Sequence, residues 1–274
     1  MRDDSVLKFF LSCTAFTKSI VILSSLSRQS YRRGGVNDWE MKMQAQGLPF
    51  GFPTPTLSKD EIFVFLHGFT VDGLSGGGSM IASAASMMLG IPIEQPNLNY
   101  PTFEEYSITN ALTVVDRLWQ QKVAQNPQVK FCLIGASMGG YIAARWAQLN
   151  PEKVKKLFLL CPAFELASKW PSLLKQEEME QWKKTGVHSY QGNQIRYAFF
   201  EDALNKHPAL PEVSCPVHLI HGKKDQIVDV QNSRNFAALH KEKNNVKMVE
   251  VEDDHSLAKS LPVLLMTARE YFLG

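Results

Sequence analysis

Apolar residues along this chain fall into short runs, and from about position 61 onward two kinds of run alternate. Residues 61–66 and 129–134 are apolar on both parities, the pattern of strands covered on both faces of a sheet. Residues 154–160, 217–222 and 245–251 read as further strands, and 92–98 as a short one near a sheet edge, because Pro96 interrupts it. Helical patterns lie between them. The stretch 80–89 is rich in small residues and closes at Gly90 and Pro92. Ile108, Leu112, Val115 and Trp119 recur at helical spacing behind Thr102-Phe103-Glu104-Glu105, which reads as a capping box. Residues 141–149 are alanine-rich, 230–239 follow Asp229 as a helix N-cap, and a closing helix runs to Phe272. Alternation without a polar linker predicts one α/β domain over 59–274, a mostly parallel sheet of about six strands with helices on both faces. No clear strand pair precedes Ile62, so an antiparallel opening hairpin is not expected.

The strand at 129–134 runs straight into Gly135-Ala136-Ser137-Met138-Gly139-Gly140 and then into the alanine-rich helix. A Gly-x-Ser-x-Gly corner between a buried strand and a helix is a nucleophile elbow: Ser137 is held in an uncommon backbone conformation, with glycines where a Cβ would collide. Its hydroxyl then stands clear of the sheet beside a helix N-terminus, which favours developing negative charge. A nucleophilic serine needs a base and an acid. His255 follows the last strand, whereas His240 falls inside a predicted helix, so His255 is the expected general base. Asp225 lies in the exit loop of strand 217–222, where it would fix the tautomer of that histidine; Asp229 competes but reads as a helix cap. Asp253 and Asp254 would either raise the basicity of His255 or only solvate its loop. The oxyanion is expected to be held by the backbone N–H groups of Met138 and of Phe69, the residue after His67-Gly68. His67 itself reads as a brace for that loop.

A long insertion over 163–211 would form a lid over the nucleophile. Its helix from Pro171 carries Leu173, Leu174, Met179 and Trp182 and ends at Gly186; a second pattern of Ile195, Tyr197, Phe199, Phe200 and Leu204 follows. These aromatics suit an apolar acyl pocket and the lid's own packing equally well.

Composition narrows the alternatives. With 29 Lys and Arg against 27 Asp and Glu, the net charge of +2 leaves no electrostatic footprint for nucleic acid. Gly76-Gly77-Gly78-Ser79 lacks the lysine of a phosphate-binding loop and reads as a pliable loop at a pocket mouth. Cys13, Cys132, Cys161 and Cys215 show no metal-ligand spacing and suit buried reduced thiols of an intracellular protein; no metal and no cofactor are expected. Residues 1–36 differ from the rest. Between Ser5 and Val36 there is no Asp or Glu, while Lys8, Lys18, Arg28, Arg32 and Arg33 sit among serines and apolar clusters, the composition of an organelle transit peptide. Asp3 and Asp4 count against that reading, which leaves an ordinary tail and a cytoplasmic protein as the alternative, and Lys18 interrupts the one stretch long enough to consider as a membrane span. The chain therefore divides into an extension over 1–58, ending in the proline-stiffened 48–55, and the domain over 59–274 with its lid.

The segments Phe65-Leu66-His67-Gly68-Phe69, Gly135-Ala136-Ser137-Met138-Gly139-Gly140, Leu160-Cys161-Pro162-Ala163-Phe164, Leu219-Ile220-His221-Gly222-Lys223-Lys224-Asp225 and Asp254-His255-Ser256-Leu257 together resemble the α/β-hydrolase superfamily. More narrowly, the chain resembles the YqiA/YcfP-type esterases, and it is also similar to the mitochondrial depalmitoylating branch of that superfamily. The resemblance implies an α/β-hydrolase fold with a helical lid, a triad at Ser137, Asp225 and His255, and cleavage of carboxylic esters on small or acylated substrates. Thioester cleavage, including protein depalmitoylation, is the alternative; a non-catalytic ligand-binding module on the same fold is a third. The loop at 75–79 and the extension before Asp60 depart from the short bacterial esterases.

Overall fold

The computed structural model describes residues 58–274 apart from 71–73, 75–81, 87–88, 166–167, 170–173 and 191, and among these it has eight short strands and six long helices. The extension, the glycine-rich loop at 75–79 and Pro171 lie outside the described residues. In order, the elements are β1 (Glu61–Leu66), β2 (Ile93–Glu94), α1 (Ile108–Val123), β3 (Lys130–Ala136), α2 (Met138–Leu149), β4 (Val154–Leu160), α3 (Gln176–Thr185), β5 (Val187–Tyr190), β6 (Asn193–Arg196), α4 (Tyr197–Lys206), β7 (Val217–Gly222), α5 (Val230–Leu239), β8 (Val246–Val251) and α6 (Leu261–Leu273). Residues 82–86 are also helical.

Six strands form one sheet in the order β2-β1-β3-β4-β7-β8, and every pairing in it is parallel. The two-residue period of a strand explains why both parities are apolar. Val64, Leu66, Leu133, Leu157, Leu159 and Leu219 point to one face, where they pack under α1, α2 and Phe236 of α5. Their sequence neighbours Phe63, Phe65, Cys132, Ile134, Phe158 and Ile220 point to the other, under Ala82, Ala85 and the α6 residues Leu264, Leu265 and Phe272. Among the described residues, no helix is long and apolar enough to cross a membrane.

Three local expectations are corrected. The helix behind Thr102 starts five residues later than a capping box there requires: Ser107 is the N-cap, and its hydroxyl accepts the Asn110 N–H at 3.0 Å. Thr102 Oγ1 takes only the Glu105 N–H at 3.3 Å. Phe103 and Tyr106 are both buried against Phe69, in a turn that the Tyr106 N–H closes onto Phe103 O at 3.1 Å. The lid is also not wholly helical. Between α3, which stops at Gly186 with φ +78°, and α4, an antiparallel hairpin pairs β5 with β6 around Gly192, also at φ +78°. Glycine reaches that backbone region without Cβ strain, so the turn forms there. Finally, the strand expected over 92–98 is only two residues long, and it does lie at a sheet edge.

The lid is tied to the core. Trp182, Ile195, Phe199 and Phe200 join the same apolar cluster as α1 and α2, and Asp202 accepts the Thr109 N–H at 2.9 Å and its hydroxyl at 2.7 Å. Burial alone would push the Asp202 carboxyl up, but hydrogen bonds from His207, Thr109 and Lys206 outweigh it and hold the group well below the usual carboxylate range.

On the opposite face, burial, with Lys247 nearby, pushes the His218 imidazole down to about 4. In the unfolded chain that ring titrates near 6.5, so between these values the unfolded state binds the extra proton. Stability is therefore expected to fall as pH drops from about 6.5 toward about 4. Urea unfolding of His218→Phe across this range should show a flatter dependence than the parent; an unchanged slope would refute the assignment.

Candidate active site

Because the strands run parallel, β1, β3, β4, β7 and β8 all end at one edge of the sheet, and the chemically suggestive residues all sit in the loops that leave it. Ser137 follows β3 at φ 52° and ψ −119°, a conformation costing an L-residue about 1–3 kcal/mol. Two hydrogen bonds and two close glycine approaches enforce it. The Ser137 N–H donates to Leu160 O at 2.8 Å, and Ser137 O accepts the Ala163 N–H at 2.9 Å. A Cβ on Gly139 would stand 2.0 Å from Leu66 O, and one on Gly135 2.5 Å from Gly139 O, so strand and helix close up as only glycine permits.

The hydroxyl so placed meets a histidine. Ser137 Oγ lies 3.1 Å from His255 Nε2, and His255 Nδ1 lies 2.6 Å from Asp225 Oδ2. Ser137 and His255 are partly exposed, whereas the Asp225 side chain is fully buried. With Nδ1 facing a carboxylate, the ring proton sits on Nδ1 and Nε2 is left to accept from the serine. Burial works to raise the Asp225 carboxyl, yet donors from His221, His255 and Val228 N–H overcome it and keep the group ionised well below the usual range. Asp229, its competitor, caps α5 by accepting the Gln231 N–H at 2.8 Å.

The two acidic residues before His255 settle into structural work. Asp253 is buried and accepts the Asp254 N–H at 2.9 Å and the Ser260 N–H at 2.8 Å, tying the loop to the start of α6. Asp254 accepts from the Ser256 N–H and hydroxyl. His240 accepts the Val213 N–H at Nε2, buried away from this edge. His67 accepts the Leu98 N–H at Nε2 and donates from Nδ1 to Gly68 O at 2.8 Å, a brace for the β1 exit loop; burial lowers its basicity, in keeping with a neutral ring. That loop abuts the serine: a Cβ on Gly68 would lie 3.3 Å from Ser137 Cβ. The next residue, Phe69, stacks its ring on Phe199 of the lid and touches Phe103, Tyr106 and Tyr190. Met138 is the first residue of α2, so its N–H has no intrahelical acceptor.

Two neighbours were not read from the sequence. His221, at the end of β7, lies 3.1 Å from Asp225 Oδ2 through Nε2. The signal was present, since His-Gly recurs at the ends of both β1 and β7. Cys161, after β4, has its sulfur within 4.8 Å of ligand atoms on Asp225 and His255, a set that could hold a metal. Binding one would strip a thiol that burial pushes up, and would break the His255–Asp225 hydrogen bond. A cleft of about 70 Å³ runs under the lid, lined by Met138, Tyr141, Ala163, Phe199, Ala203 and Leu204, with Glu165, Ser168 and His207 as its polar members; it comes to Ser137 through Met138, the next residue, and Ala163, whose N–H donates to Ser137 O.

Comparisons with known proteins bear on the fold. Residues 107–207, a little over a third of the chain, match the family described as "Serine aminopeptidase, S33". The chain is 34% identical over 125 residues to the mitochondrial palmitoyl-protein thioesterase ABHD10 of Mus musculus, covering 42% of this chain and 41% of that one. It is 33% identical over 138 residues to the Homo sapiens counterpart, covering 47% and 42%. The matched region thus spans less than half the length of these curated relatives. Among solved structures, alpha/beta hydrolase domain-containing protein 10 from mouse superposes with a TM-score of 0.59 at 20% identity, over 79% of this chain and 90% of that one. Est1E from Butyrivibrio proteoclasticus gives 0.63 at 17% identity, over 82% and 90%.

The tightness of the elbow yields a direct test. Gly139→Ala should lower stability by more than about 3 kcal/mol, or prevent folding, because the oxygens it strikes belong to backbone that cannot swing aside. A soluble variant with an unshifted melting temperature would show the approach to be looser than these distances.

Proposed function

From the premise that this chain has the α/β-hydrolase fold, we propose that it is a serine hydrolase cleaving carboxylic esters or thioesters through an acyl-enzyme on Ser137. The observation that carries the reading is the continuous line of hydrogen bonds from Ser137 Oγ through His255 to a buried, ionised Asp225. His255 Nε2 takes the serine proton as Oγ attacks the acyl carbonyl. The N–H groups of Phe69 and Met138 hold the tetrahedral oxyanion, and Asp225 stabilises the imidazolium. On collapse the proton passes from His255 to the leaving alcohol or thiol. Water then repeats the sequence, the bond from Oγ to the acyl carbon breaks, and the acid is released.

The cleft under the lid suits the acyl chain. Met138 and Ala163 flank the serine, and the walls beyond them are mostly apolar. The names of the curated relatives favour a thioester of a long acyl chain, as carried on a protein cysteine. Those relatives are also named as mitochondrial, which supports reading residues 1–36 as a transit peptide.

A fluorophosphonate probe followed by peptide mass spectrometry should modify Ser137, and Ser137→Ala should lose both labelling and at least about ten-thousand-fold in kcat. Modification of another residue would overturn the assignment, and no modification at all would favour a binding module. Paired oxygen and sulfur esters of one acyl chain decide between the two leaving groups. Ala203→Trp should leave a butyryl ester within about threefold of the parent and cut a palmitoyl ester by tenfold or more, since it narrows the cleft away from the serine. Equal losses on both would place the chain elsewhere. Hydrolysis should also decline on the acid side as His255 takes a proton; a rate flat from about pH 8 to about pH 4 would remove it from the role of base.

A further inference from the structure

Asp225 is held from more sides than an orienting carboxylate needs. Its Oδ1 accepts the Ile227 and Val228 N–H groups, both at 2.8 Å. Oδ2 is shared: His255 Nδ1 stands at 2.6 Å and His221 Nε2 at 3.1 Å. His221 is fully buried and has no open ring nitrogen. Its Nε2 faces the Val228 carbonyl at 2.9 Å as well as the carboxylate, so two acceptors require the proton there. Nδ1 then accepts the Ser233 hydroxyl at 2.7 Å, and Ser233, on the first turns of α5, is itself buried. Both ends of the ring are thus locked, and Nε2 stands beside the oxygen that partners His255.

We propose that His221 is a positioning residue for the Ser137–His255–Asp225 arrangement: its Nε2–H, fixed in tautomer by Ser233, shares Asp225 Oδ2 with His255 and sets how strongly that oxygen holds the imidazolium. The consequence has a sign. A second donor on Oδ2 draws off part of the carboxylate's negative charge, so His255 is held less tightly in its protonated form and remains a base to lower pH. Removing the donor leaves Oδ2 to His255 alone, which favours the imidazolium and moves its titration upward.

Other ionisable groups face this cluster and stay constant across the comparison. Cys161 reaches Asp225 from the end of β4 with a thiol that burial keeps protonated. Asp253 approaches from the β8–α6 loop, already bonded to Ser260 and Asp254. Glu250 of β8 lies within electrostatic reach of His221 and is paired with Arg234 of α5 at 2.8 Å. The Cys161 thiol also hydrogen-bonds Asp225, and that bond is present in the parent and in every variant.

The kinetic part of the test rests on the hydrolase reading; the spectroscopic part does not. His221→Phe, His221→Gln and Ser233→Ala are made in the full chain, and the His255 ring is titrated by NMR alongside the pH dependence of fluorophosphonate labelling and of kcat. In His221→Phe the His255 midpoint should rise by about half a unit or more, with the acid limb of kcat moving up with it and KM nearly unchanged. His221→Gln, which returns an amide N–H toward Oδ2, should recover most of both effects, and Ser233→Ala should shift the midpoint in the same direction by less. A folded His221→Phe whose His255 midpoint does not move overturns the proposal, as does a Gln variant no closer to the parent than Phe. Should the Phe variant fail to fold, the Gln and Ser233→Ala midpoints decide. Loss of labelling in the parent would strike the hydrolase reading alone, because the ring titration is read without turnover.

Discussion

The backbone of Ser137 is the constraint around which the described domain is arranged. At φ 52° and ψ −119° it stores strain that no local preference supplies, so the surroundings must hold it. They do so from three strands. β3 leads into it, Leu160 at the end of β4 accepts its N–H, and the last residue of β1 presses its carbonyl against Gly139. A well-packed sheet, covered on both faces, is stiff enough to keep those contacts in place. Loosening any one of the three strands would release the elbow and take the hydroxyl out of line with His255.

The same parallel sheet solves the problem of assembly. Ser137 and His255 are 118 residues apart, and His255 and Asp225 are separated by 30. Parallel pairing brings every strand end to one edge, so loops remote in sequence become neighbours without any loop having to be long. The histidines divide accordingly. His67, His221 and His240 are buried and spend both ring nitrogens on backbone or side-chain partners, while His255 keeps partial exposure and presents Nε2 to the serine. Burial with complete hydrogen bonding makes a histidine a clamp, and partial exposure leaves room for a proton to move.

Elements whose neighbours in sequence are also their neighbours in space were the easiest to read. The elbow glycines, the Asp229 cap, the Gly186 stop and the doubly apolar strands each follow from steric or hydrogen-bonding needs within a few residues. Thr102 misled because its capping pattern is sound locally, yet the burial of Phe103 and Tyr106 against Phe69 outweighs one cap worth about 1 kcal/mol. The β5–β6 hairpin was overlooked because its four-residue strands carry a weak alternation beside stronger helical patterns on both sides.

What the amino-acid order settled unaided was the kind of fold and the identity of the serine, the histidine and the carboxylate set in line with them, since strand parity, turn chemistry and residue type are local properties. Tertiary structure alone decided which further groups share that carboxylate. His221 stands four residues before Asp225 and meets it across the β7 exit turn, whereas Cys161 reaches Asp225 only because β4 and β7 pair side by side, and Asp253 turns away from His255 because α6 offers it the Ser260 N–H. Such contacts depend on strand register and loop closure, which sum many weak interactions over the whole sheet and leave no mark in any short stretch of the chain.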